Sequence, residues 1–131
     1  MHFFLLSALL LSALLFPALR VPAVAAARAA DSAPARLIDQ SRAAMRSDPE
    51  TSRRLAEKAL AVLAAQPDAD LQVRAHLQLC DYYSERDAAA AQTEVAQARA
   101  LLPRTTQPAL RAGLLACEAE LHEYAGQNAR A

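Results

Sequence analysis

The chain has 131 residues, 54% hydrophobic and 21% charged, with 14 basic against 14 acidic side chains and a formal net charge of zero. That bounds it to one small domain and excludes charge-driven disorder and the basic stripe of a nucleic-acid surface; the two glycines leave no phosphate-cradling loop. Scarce Gly, Val, Ile and Thr beside abundant Ala, Leu, Arg, Glu and Gln predict an all-α fold.

Residues 3–16 form an apolar run broken only by Ser7 and Ser12. This is the length of a signal-peptide core and is short of the roughly 20 residues of a membrane span. Pro17 ends it, and the segment 18–27 offers small residues at both cleavage sites, after Ala25 (Ala23-Val24-Ala25) or after Ala27 (Ala25-Ala26-Ala27). Met1-His2 carries no Lys or Arg, so the amino terminus supplies the positive charge or the start lies upstream. Cys does not follow the cleavage region, which excludes a lipoprotein signal. Residues 1–27 therefore read as a signal peptide for export to a bacterial periplasm. The alternative is an uncleaved anchor or a core helix, and only an uncleaved segment would bring the chain to a membrane. With the signal peptide removed, residues 28–131 must fold alone: 28–33 are an Ala-rich lead-in without an apolar stripe, and 34–131 hold the structured part.

Prolines and capping residues divide that part into five predicted helices. Pro34 fits a first turn after Ser32, and 34–46 carries Leu37, Ile38 and Met45. Ser47-Asp48-Pro49-Glu50 reads as a capping box or as an Asp48 cap. It opens a helix over 50–65, with Leu55, Ala59, Val62 and Leu63 on one stripe and Leu60 beside it. After Pro67, Asp68 or Asp70 caps a helix over 69–84. Its two apolar faces (Val73, Leu77, Cys80, Tyr83; and Leu71, Ala75, Leu79, Tyr82) require a neighbour on each side. Asp87 caps 88–102, whose inward residues Ala91, Val95 and Ala98 are small enough for close helix approach. Pro103 ends it, Thr106 can cap, and a fifth helix over 107–125 carries Leu110, Leu114, Cys117, Leu121 and Tyr124, with Gly126 as its stop.

The pattern repeats. Pro67 to Pro103 is 36 residues and Cys80 to Cys117 is 37, each interval holding one helix pair. Tyr82-Tyr83, the Asp87 turn, Ala91, Ala98 and Pro103, then Ala119 and Gly126-Gln127-Asn128 with Ala131, resemble the tetratricopeptide repeat across residues 48–131. The sequence departs from that repeat in lacking Trp, in placing Arg86 where Gly is usual, and in unit lengths above 34. The resemblance implies antiparallel helical hairpins stacked as a short right-handed solenoid behind the signal-peptide helix. The run Leu115-Ala116-Cys117-Glu118-Ala119-Glu120-Leu121-His122-Glu123-Tyr124-Ala125-Gly126, behind an export signal, resembles the periplasmic input region of membrane-bound GGDEF-type diguanylate cyclases. No cyclase residue can be carried over. The end at 126–131 reads as the start of a further unit, hence a truncated product, with helix five exposing Leu114, Cys117 or Leu121.

The chemistry-bearing residues are few. Cys80 and Cys117 are either two buried small apolar residues or a disulfide. Equivalent positions on neighbouring helices about 8–10 Å apart favour the first, and an oxidising compartment favours the second. His76 and Cys80 share a face but lack a full ligand set for zinc, and no cofactor is expected. Glu118 and His122 read as a surface ion pair, and Arg53, Arg54 and Lys58 with Glu50 and Glu57 as a solvated charged face. Only one of Tyr82 and Tyr83 can face the core; the other, with His76, is expected to line a concave face that binds a peptide or protein. The expectation is a non-catalytic periplasmic interaction or sensory module. Its rival is a structural protein that self-associates through the open C-terminal end.

Overall fold

The computed structural model describes residues 32–128. Among them are five α-helices and no strand: α1 (Ala33–Ala44), α2 (Pro49–Ala65), α3 (Ala69–Tyr83), α4 (Ala88–Leu101) and α5 (Pro108–Asn128), with a 3-10 turn (Leu102–Arg104) after α4. The signal-peptide reading, and the lead-in before Ser32, lie outside the described residues. No helix among those described is long and apolar enough to cross a membrane.

The helix starts follow from unsatisfied backbone donors, because the first N–H groups of a helix have no partner within it. Ser32, Asp48, Asp68 and Asp87 each accept from the residue three further on, at 3.4, 3.0, 3.0 and 3.0 Å. Asp48 rather than Ser47 is thus the cap of α2. Thr106 does not cap α5: its N–H (2.8 Å) and hydroxyl (2.5 Å) both donate to Asp70, pinning the loop before α5 to the start of α3. Burial raises the Asp70 pKa, but the bonds from Thr106 and Gln107 outweigh it and leave the carboxyl below its usual range. The expected stop at Gly126 is overturned. Helix α5 runs on to Asn128 and neither glycine has a positive φ.

Sequential helices pack as antiparallel pairs, α1 with α2 and α3 with α4. The odd-numbered helices also lie side by side, α1 against α3 and α3 against α5. The breadth of apolar surface on α3 is used on both sides, as expected. Leu71 and Ala75 join Ala35, Ile38, Ala59 and Leu63 in one core. Val73 and Cys80 join Ala91, Val95, Ala98, Leu110, Leu114 and Cys117 in the other. Gly113 sits where α5 comes closest to α3: a Cβ there would lie 2.8 Å from Leu77 Cδ1.

Two stripes differ from expectation. On α2 the buried face is Ser52, Ala56, Ala59 and Leu63; Leu55 and Leu60 are half-buried and Val62 is exposed. The face is rotated because Ser52 is the partner of Ser41 on α1. The Ser41 hydroxyl donates to the Ser52 carbonyl at 2.8 Å, and the two hydroxyls lie 3.0 Å apart, both fully buried. A polar pair that satisfies itself fits between closely approaching helices. On α1, Ile38 is buried with Ala35 and Ser41, while Leu37 and Met45 lie at the margin.

From α1 to α3 the caps Ser32 and Asp68 are 36 residues apart, but from α2 to α4 (caps Asp48 and Asp87) and from α3 to α5 (their starts) the period is 39. The shorter spacing between Pro67 and Pro103 arises because these prolines are not equivalent. Pro67 lies beside the cap of α3, whereas Pro103 lies inside the 3-10 turn that precedes the loop to α5.

Candidate functional site

The 39-residue period explains the two cysteines. Cys80 lies on the side of α3 that meets α4 and α5, and Cys117 on the side of α5 that turns back to α3 and α4. They are facing positions rather than equivalent ones. Their Cα atoms are 6.5 Å apart, within disulfide range, and the two are bonded. The expectation of two free buried thiols, built on helix-axis spacing, gives way for that reason. With both sulfurs engaged, His76 has no thiol to share a metal with, and the described residues contain no acidic, His or Cys group arranged to hold one.

The three residues expected on the partner face are drawn inward. His76 Nδ1 meets Glu94 at 2.7 Å across the α3–α4 pair, with side-chain exposures of 14% and 17%. Tyr82 is buried: its hydroxyl donates to Glu50 at the start of α2. The guanidinium of Arg86 lies 4.7 Å and that of Arg53 5.9 Å from its ring centroid. The hydrogen bonds from Tyr82 and from Arg53 Nε hold the Glu50 carboxyl below its usual range. The Tyr83 ring meets that of Tyr82 edge-on, with centroids 4.9 Å apart, and packs against the second core. Adjacent tyrosines both pack because α3 is buried on two sides. None of the three is among the residues that line the cleft described below.

The charged pairs resolve as expected on α2, where Arg53 bridges Glu50 (3.2 Å) and Glu57 (2.6 Å). On α5 they do not. Glu118 pairs with Arg99 of α4 instead of with His122. Such exposed pairs contribute little to stability.

An open cleft of about 490 Å³ lies at the C-terminal ends of α1 and α3 against α5. It is lined by Met45, by Asp81, Ser84 and Glu85, and by Glu120, Glu123 and Tyr124. Met45 comes from just past the end of α1, Asp81 from α3 and Glu120, Glu123 and Tyr124 from α5, which follows from the side-by-side packing of these helices. Tyr124 donates to Glu85 at 2.6 Å, tying α5 to the chain just after α3. The Ser84 hydroxyl donates to the Asp81 carbonyl at 3.1 Å, fixing the end of α3. Crowding by protein atoms and the charge of Glu120 push the Asp81 carboxyl up to about 6, with Arg42 opposing the shift. The sequence held a weak signal for this site: acids at 81, 85, 120 and 123 on the outward sides of helices with apolar opposite faces. Their convergence depended on a period that the prolines misreported.

The chain matches no protein-family model, and no curated protein or solved structure matches it.

Proposed function

We propose that the protein is an exported, non-catalytic recognition module, a short tetratricopeptide-like stack that takes a Lys- or Arg-bearing segment of a protein partner in the cleft between α1, α3 and α5. The observation that carries this reading is that one open cleft gathers Met45 from just past α1, Asp81 of α3 with Ser84 and Glu85 just past it, and Glu120, Glu123 and Tyr124 of α5. Stacked helical pairs recognise extended segments on such a surface. The acids select positive charge, and Met45 and Tyr124 add adaptable apolar and aromatic contact. The Cys80–Cys117 disulfide fits an oxidising compartment and agrees with the export signal read at residues 1–27. The sensory form of this reading, an input region of a GGDEF-type diguanylate cyclase receptor, rests on the resemblance across residues 115–126.

The test is binding of fluorescent peptides of equal length, one rich in Lys and Arg and one rich in Glu. Only the basic peptide is expected to bind, and binding weakens as salt rises. The double variant Asp81→Asn/Glu120→Gln is expected to raise its Kd about tenfold. Equal affinity for the acidic peptide, or no effect of the double variant, contradicts the reading.

The raised Asp81 pKa also has a stability consequence. Because folding favours the protonated carboxyl, its contribution is full below the unfolded value near 4 and is lost as pH rises through about 6. The side chain is partly in contact with solvent, so the effect is on the order of 1 kcal/mol after screening. Asp81→Asn is expected to raise Tm by a few degrees at pH 7.5 and to leave it unchanged at pH 3.5. Thermal melts at the two pH values check this. A residue that costs stability and lines a cleft is what a binding site contains.

A further inference from the structure

Helix α5 buries Leu110, Leu114 and Cys117 against α3 and α4 and turns Ala112, Leu115, Ala116 and Ala119 to solvent, with Leu115 59% exposed. The expectation that Leu114, Cys117 or Leu121 would be uncovered is corrected by the register: the bare residue is the leucine on the far side. By the 39-residue period, this outward side of α5 corresponds to Val73, His76, Leu77 and Cys80 of α3, the side on which α3 receives α4 and α5.

We infer that a second copy of the chain covers this side, its own α5 laid antiparallel across a two-fold axis near Leu115 and Ala116. The charges choose the occupant. The approach to α5 and its first half carry Arg104 and Arg111, and its second half Glu118, Glu120 and Glu123. That order opposes the helix dipole, which favours acids at the start and bases at the end. An antiparallel copy sets each basic half against an acidic half and opposes the two dipoles, whereas a parallel copy stacks like on like. Arg111 then lies beside Glu118 of the second copy, whose Oε1 takes Arg99 of its own α4 and whose Oε2 faces the newcomer. The apolar leader at residues 3–16 offers no charges to meet Arg111 or Glu118, and it joins the fold at α1, two rows away from α5. A small-residue centre around Leu115 lets the two helices approach closely, and the surface is self-complementary, as a two-fold dimer requires. The axis runs perpendicular to both helices, so the two acidic clefts open on the same side and could hold one partner at two points. Glu120 and Glu123 also line the cleft, but the residues that the test changes, Leu115, Arg111 and Glu118, do not, so the two readings can fail separately.

Sedimentation velocity on the purified protein is the test. A dimer is expected, with Leu115→Glu shifting it to monomer and Arg111→Glu raising the dimer Kd about tenfold. Circular dichroism should show both variants as helical as the parent, since both positions are exposed on α5. A second charge change, Arg111→Glu with Glu118→Arg, is expected to restore part of the affinity. A monomer at 100 µM (a concentration on the order of 10⁻⁴ M, equivalent to about −5.5 kcal/mol) overturns the inference. So does a dimer indifferent to both single variants, which places the contact elsewhere. A monomer whose α5 outward amides become exchangeable only when residues 3–16 are removed also overturns it, in favour of the leader.

Discussion

Replacing both cysteines, Cys80→Ala with Cys117→Ala, is expected to lower stability by about 3–4 kcal/mol and Tm by about 15–25 °C. The bridge closes a loop with a sequence separation of 37, so most of the loss comes from freeing the unfolded chain. The effect should be local as well as global. Among the described helices α5 stands at one end of the odd-numbered row, with α3 and α4 as its neighbours. Without the bridge it is held by Leu110 and Leu114, by the Asp70–Thr106 contacts and by the Tyr124–Glu85 hydrogen bond. Hydrogen exchange should therefore show α5 losing protection first, while α1 to α3 keep theirs. Thermal melts with and without reductant give the same comparison on the parent protein. A Tm unchanged by reductant would show that α5 docks without the bridge.

The second large effect is at Leu63. It is 1% exposed and joins Ile38 and Leu71 in the first core, so Leu63→Ala is expected to cost about 2–5 kcal/mol, transfer and cavity together. Val62, its neighbour on the expected stripe, is 37% exposed. Val62→Ala should cost under about 0.5 kcal/mol, since surface changes away from special features are small. Urea unfolding of the two variants separates the rotated face of α2 from the one that hydrophobic spacing alone suggests. Equal losses would restore the original stripe.

These two residues show what the sequence made legible. Helix number and order followed from proline and cap chemistry: Asp87 could be read directly, and Asp48 and Asp68 each as one of two neighbouring candidates, because an unpaired N–H needs an acceptor wherever the helix sits, whereas Thr106 as a cap was wrong. The two-sided burial of α3 followed from its girth of apolar residues. The facing of α2 did not, because Ser52 is polar and its burial depends on Ser41, eleven residues earlier, meeting it. The disulfide was obscured by taking the cysteine spacing of 37 as the repeat period. With a period of 39, Cys80 and Cys117 move from equivalent to opposed positions. The same error hid the cleft, since acids on different helices converge only when the register is known. Tyr82, Tyr83 and His76 were legible as contact-making residues, but their contacts are Glu50, the second core and Glu94 within the fold.

The central claim is that α1, α3 and α5 share one recognition cleft. It is tested most directly by titrating isotope-labelled protein with a Lys- and Arg-rich peptide and following backbone amide NMR shifts. The expected result is a saturable set of shifts confined to Met45, Asp81, Ser84, Glu85, Glu120 and Tyr124 and their sequence neighbours. Shifts spread over the Arg53–Glu57 surface of α2, or none at millimolar peptide, would contradict the account.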